Sequence, residues 1–177
     1  MLLLAPLVLS LSLGFLRGGR LQALGEHPWR SPLLPILALA IQVIAFLPDE
    51  NTSPVARAFA ASLHLLSYLL LLAFVWMNRR TPWLWLVGIG LASNALVILA
   101  NGGFMPVPGR PEGYYHNNTV GVDAQARLLF LADILQAPSW LPLARAFSVG
   151  DLLIALGVFA LVQQLMVAPS PPAGIRQ

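Results

Sequence analysis

From Val55 to Met77 the chain carries one charged side chain, Arg57, in an otherwise near-continuous apolar run. A stretch of that length has few possible fates. A helix rising 1.5 Å per residue needs about 20 residues to cross a hydrocarbon core, and only a backbone that satisfies its own hydrogen bonds can cross. Four more apolar segments accompany it: Leu2–Leu16, Leu33–Leu47, Pro82–Ala100 and Val149–Val167. The segments at 55–77, 82–100 and 149–167 are long enough to span. The first two are short, and span only by standing upright, thinning the bilayer or extending into flanking residues.

The expected fold class is therefore all-α: a polytopic membrane helical bundle of about five transmembrane helices. Residues 1–167 form one membrane-embedded domain. An extracytoplasmic cap, loop 101–147, lies between the fourth and fifth helices, and 168–177 is a disordered cytoplasmic tail.

Composition narrows the function classes. Only 10% of the residues are charged and 58% are hydrophobic, whereas a soluble domain is about 25% charged. Cysteine is absent, which removes disulfides, thiolate metal sites and thiol nucleophiles. All ten basic residues are arginine, so no lysine can form a Schiff base. No basic cluster interleaved with aromatics suggests nucleic acid. No cofactor signature is present, and the expected partners are membrane lipids and a partner membrane protein.

The arginines set the expected orientation. Arg17, Arg20 and Arg30 follow the first segment, Arg79 and Arg80 follow the third, and Arg176 lies in the tail. The second connection carries Asp49 and Glu50 and no base. Cytoplasmic loops are the basic ones. The N-terminus is then outside and the C-terminus cytoplasmic. Because its positive charges come after the apolar run, the first segment reads as a retained helix, not a cleaved leader.

Local signals agree. Ser53-Pro54 and Thr81-Pro82 each offer a hydroxyl cap followed by proline at the first helical position. Trp76, Trp83 and Trp85 mark an interfacial belt. Gly88, Gly90, Ala92 and Ser93 give the fourth segment a small face for close helix packing. Asn101-Gly102-Gly103 is a helix stop. Beyond it, Leu128–Leu135 reads as a short helix lying on or dipping into the outer membrane surface, with Asp123 and Arg127 paired at i, i+4 before it and Trp140 as an anchor after it.

Two carboxylates are the candidate catalytic residues, Asp133 and Asp151. Asp151 stands in the first turn of the last helix, where Ser148 and Asp151 form a capping box; that explains it without chemistry. The second reading brings Asp133 beside it, and two close carboxyls share a proton and activate water. Asp133 equally suits solvation or pairing with Arg127 or Arg145. The candidate binding residues are Asn101, Gly102, Gly103, Ser148, His64 and Asn94. His64 sits at mid-span, where an ionisable group is costly and a functional candidate by default; a neutral imidazole bonded to a neighbouring helix is the simpler role. Asn94 and Gln42 suit interhelical hydrogen bonds. His27, His64 and His116 are too scattered for a metal site. Asn51 and Asn117 match the N-glycosylation acceptor pattern, which matters only in a glycosylating host.

The motifs "NGGFMPV", "LADIL" and "FSVGD" together resemble a family of small bacterial multi-span membrane proteins known only as a domain of unknown function, from the second span onward. That resemblance implies a bacterial inner-membrane protein and no particular activity. The C-terminal third also resembles the lipoprotein signal peptidases, four-span aspartic enzymes whose last helix begins F-N-x-A-D. Phe147 and Asp151 match that pattern; Ser148 and Gly150 replace its asparagine and alanine. Those enzymes also carry N-x-x-D-R, and here Asn94 is followed by Val97 and Ile98 where the aspartate and arginine belong.

The main functional expectation is a non-enzymatic membrane protein that binds a partner protein, a lipid or a lipid-like molecule through its outer cap. The alternative is a membrane-embedded aspartic hydrolase, signal-peptidase-like, using Asp133 and Asp151. A third reading is a small transporter or proton-relay subunit involving His64.

Overall fold

The structure, a computed structural model, describes residues 4–47, 52–136 and 146–167. Asp49, Glu50, Asn51, Trp140, Arg145 and the tail 168–177 lie outside them. Six helices make up most of the described chain: α1 (Leu4–Leu16), α2 (Gln22–Glu26), α3 (Leu33–Ala45), α4 (Pro54–Met77), α5 (Leu84–Ala100) and α6 (Val149–Val167). α4 and α6 are long and apolar enough to cross a membrane, and α1, α3 and α5 are shorter apolar helices. Side by side the long helices run α3, α4, α5, α6, α1.

The caps explain most of the boundaries. Ser53 Oγ accepts from Ala56 N at 3.3 Å with Pro54 at the first helical position, as its sequence requires. The start of α5 differs from expectation. Thr81 does not cap it; Trp83 takes the N-cap place with φ 66° and no side-chain bond. The Thr81 hydroxyl instead lies 3.2 Å from His27 Nε2, tying the α4–α5 turn to the chain after α2.

Large apolar side chains face outward along the helices, among them Leu33, Val43, Leu69, Leu99 and Leu156. Small and polar side chains lie inside, including Ala38, Ala60, Ala61, Ser10, His64, Ser67, Asn94, Ser148 and Gln163. Buried polar groups are tolerated only when hydrogen-bonded, and here several bond across a helix pair. Gln42 Nε2 donates to Ser67 Oγ at 3.0 Å between α3 and α4. Ser10 Oγ donates to Phe159 O at 2.8 Å between α1 and α6, and Gln163 donates back to Ser10. Gly90 faces Gly150 and Ile154, so α5 and α6 cross at close backbone range, while Gly88 faces Val75 of α4. The small face of α5 thus serves two neighbours.

The fold is not all-α. Residues 105–121 form a three-stranded sheet of β1 (Met105–Val107), β2 (Tyr115–His116) and β3 (Thr119–Gly121), with β3 central, parallel to β1 and antiparallel to β2. A second antiparallel pair joins β4 (Leu135–Gln136) to β5 (Ala146–Phe147). The helix expected over Leu128–Leu135 is absent. Leu128 adopts φ 54°, Leu129–Leu131 make one 3-10 turn, and the chain then becomes extended. So short a run cannot nucleate a helix alone. Its apolar side chains are satisfied instead by packing: Leu128, Leu129, Leu131 and Ala132 meet Val97, Ile98 and Met105. The expected Asp123–Arg127 helical pair is likewise replaced. Asp123 Oδ1 accepts from Gln125 N at 2.8 Å in a local turn.

Candidate functional site

α6 does not begin level with the end of α5. Gly150 packs against Gly90 and Asn94, and Asn94 lies about 9 Å of helix rise before Ala100. The first turn of α6 is therefore recessed below the end of α5, under the turn at Leu129–Leu131. The polar cluster sits in that recess.

Ser148 and Asp151 form the capping box in full. Asp151 N donates to Ser148 Oγ at 2.9 Å, and Ser148 N donates to Asp151 Oδ2 at 3.2 Å. The box is then bonded to α5. Asn94 Nδ2 donates to Asp151 Oδ1 at 2.7 Å, and Ser148 Oγ donates to Asn94 Oδ1 at 2.8 Å. Asn94 and Ser148 are fully buried. Tyr68, from α4, lies close to the same cluster, near the Asn94 side chain. Sequence reasoning passed over Tyr68, because a tyrosine in an apolar helix reads as packing.

Asp133 approaches from the other side. Its backbone N donates to Pro106 O at 3.3 Å, which fixes the chain after the 3-10 turn against β1. Its Oδ1 is buried and makes no hydrogen bond. Burial, with the nearby charge of Asp151 adding to it, pushes the Asp133 carboxyl up to about 7. The two candidate carboxyls thus lie within electrostatic reach of each other, in unlike environments: one held by donors, one without.

The remaining candidates act on the loop. Asn101 Nδ2 donates to Val97 O at 2.7 Å and Arg127 O at 2.9 Å, and its Oδ1 accepts from Arg127 N at 2.8 Å. One side chain thereby joins the end of α5 to the loop's return. Gly103 N bonds Ile98 O at 2.8 Å and Gly102 N bonds Leu99 O at 3.3 Å, the paired bonds of a Schellman stop. Gly102 and Gly103 have φ of 70° and 98°, and a Cβ on Gly103 would collide with Ala61. His64 receives this stop. Its Nδ1 lies 3.1 Å from Gly103 O, and its ring makes edge contacts with Phe46 and Tyr68. A histidine that docks a loop carbonyl is accounted for without a relay.

Above the Asn101 clasp lies an open cleft of about 530 Å³, with Arg57, Asn101, Tyr114, Tyr115, Asp123 and Arg127 in its walls. Arg57 Nε donates to Thr52 O at 2.9 Å, and its guanidinium lies 4.2 Å from the centre of the Tyr115 ring. Arg57 and Tyr115 carried no signal in the sequence, since only the fold brings the start of α4 under β2. No group of His, Asp and Glu among the described residues has the geometry to hold a metal ion.

The family of unknown function DUF5317 matches residues 27–163. The chain belongs to the DUF5317 family. The match takes in α3 to α5, the loop and α6 as far as Gln163, and so covers every residue of the cluster and the cleft. No curated protein and no solved structure matches the chain.

Proposed function

We propose that this DUF5317 chain is a multi-span membrane protein that binds an anionic, lipid-like ligand in the cleft over Asn101. The outward apolar and inward polar arrangement of the helices supports membrane placement, because lipid solvates large apolar side chains and polar groups must find partners inside. Charge supports the orientation. Arg17, Arg20, Arg30, Arg79 and Arg80 gather at the end that carries Glu26 as its acid. Arg57, Arg110 and Arg127 share the other end with Glu112, Asp123, Asp133 and Asp151. The first end is then cytoplasmic, and loop 101–147 is the outer cap.

The cleft carries the ligand reading. Two guanidiniums stand across it, one of them fixed by Thr52 and the Tyr115 ring. Arginines held in place bind phosphate or carboxylate with a small further entropy cost. The test is thermal unfolding of the detergent-solubilised protein with a short-chain phosphatidylglycerol. A rise in midpoint that grows with concentration, and disappears in Arg57→Gln and Arg127→Gln, is expected. A shift of equal size in both variants would remove the cleft as the site.

A second reading rests on one observation, the unbonded Asp133 Oδ1 within electrostatic reach of Asp151. Two close carboxyls that share a proton activate water in aspartic enzymes. Here a hydrolase would use Asp133 and Asp151, with Asn94 and Ser148 positioning Asp151. Cleavage of a lipid-anchored peptide by the wild type, abolished by Asp133→Asn and Asp151→Asn alike, is the result that would put this reading first.

A further inference from the structure

At the opposite end of the helices, two cavities meet at one arginine. The first, about 350 Å³, lies where α4 turns into α5, and its walls include His27, Arg30, Arg79, Arg80 and Thr81. The second, about 660 Å³, runs between α4 and α5 and is lined by Ala73, Trp76, Arg79, Trp85, Ile89 and Ala92 among others. Arg79 borders both. None of the residues lining either cavity is acidic.

The basic cavity is built, not incidental. Asn78 is buried, and its side chain binds three backbone groups. Nδ2 donates to Arg30 O at 2.9 Å and Phe74 O at 2.8 Å, while Oδ1 accepts from Arg30 N at 2.8 Å. This places Arg30 beside Arg79 and Arg80 at fixed spacing. His27 is set by Thr81 and by edge contact with Trp29, which packs on Phe74. Arg79 stacks over Trp76, its guanidinium 4.9 Å from the ring centre, with Nη1 donating to Trp76 O at 3.1 Å. Its guanidinium therefore lies on the tryptophan that flanks the apolar groove, where the two cavities meet. Three guanidiniums around an acid-free cavity repel one another unless an anion sits among them.

We infer that these two cavities form one site for an anionic phospholipid, its phosphate among Arg30, Arg79 and Arg80 and an acyl chain in the groove along Ala73, Trp76, Trp85 and Ala92. The chemistry requires both halves. A basic cavity at the membrane surface recruits any phosphate, but a groove of that volume with an apolar lining leading away from it fits a hydrocarbon chain. Trp76 and Trp85, 70% and 54% exposed, flank the groove at headgroup depth. Ala73 and Ala92 keep its floor low. The site is separate from the outer cleft, and it rests on the membrane placement proposed above.

Alkaline washing of membranes from an expressing host comes first. A chain released by the wash overturns the membrane placement and this site with it. The retained full-length protein is then solubilised, and the lipid it keeps is read by native mass spectrometry after exchange with equal phosphatidylglycerol and phosphatidylcholine. Selective retention of one phosphatidylglycerol is expected. Arg79→Gln with Arg80→Gln should cut that retention roughly tenfold. Ala92→Phe, at an exposed helix position, should cut it by a similar factor while leaving the arginines in place. Arg110→Gln, at the other end, should leave it unchanged. Two results overturn the assignment: equal retention of the two lipids, or retention unaltered by Ala92→Phe and displaced by inorganic phosphate, which marks a phosphate site without a lipid chain.

Discussion

Asn94 Nδ2 reaches Asp151 Oδ1 at 2.7 Å while the other oxygen of the same carboxylate accepts from Ser148 N. The carboxylate is therefore fully engaged as an acceptor on both sides, and this alters what substitution does. A carboxylate that only completed the capping box would tolerate asparagine at small cost. Here Asp151→Asn turns one acceptor into a donor facing another N–H. We expect a loss of about 1–3 kcal/mol in thermal or denaturant unfolding. Ser148→Ala removes both the cap and the bond to Asn94, and should cost about 1–2 kcal/mol. An Asp151→Asn protein as stable as wild type would show that the Asn94 bond contributes nothing.

Asp133 makes stability fall with rising pH. The folded protein holds its proton to about pH 7, whereas the ordinary carboxyl value is 3.8. The unfolded chain thus releases the proton first, and the folded state is disfavoured progressively between those two values, by as much as about 4 kcal/mol. Below about pH 4 the contribution is present in full, and above about pH 7 the loss is complete. Asp133→Asn should flatten this part of the profile and raise the unfolding midpoint at neutral pH. A wild-type midpoint independent of pH from 4 to 7 would count against the buried acid.

Gly103→Ala should undock the loop. The new methyl meets Ala61, and φ of 98° is strained for any side chain. We expect about 1–3 kcal/mol of destabilisation, with faster proteolysis between residues 104 and 128. His64→Ala, which removes the acceptor's partner without a clash, should show the same proteolysis at lower thermal cost. Normal protease resistance in both would mean the loop is held elsewhere.

Topology reporters give the orientation a direct test. Fusions after Arg30 and after Arg80 should read cytoplasmic, and one after Gly109 should read external. An external reading at Arg80 reverses the assignment of both ends.

The long helices were legible because their signal is summed over many residues. α6 has the bounds read from the sequence, and α4 differs by one residue, since apolar runs with a proline-marked or acidic start leave little choice. The loop was not legible, for the opposite reason. Its strands are two or three residues long, too short for a period, and they are held because Met105 and Tyr115 are buried against other parts of the fold. Leu128–Leu135 looked helical from composition alone, and the left-handed turn at Leu128 that breaks it has no local marker. Within the site, the Ser148–Asp151 box was readable from spacing and the stop at Asn101–Gly103 from its glycines. The links from Asn94 to Asp151 and from His64 to Gly103 join residues far apart in the chain, and only folding creates them.

Gly150 packs so tightly on α5 that a methyl there would strike Asn94 Oδ1. The order of the polar cluster therefore depends on one missing carbon. Alanine at 150 would wedge the two helices apart just where Asn94 and Asp151 meet, and no local rotation of either side chain recovers both bonds. A substitution at 150 therefore reaches beyond its own position: it acts on the amide at 94 and the acid at 151, and through them on how the last helix starts.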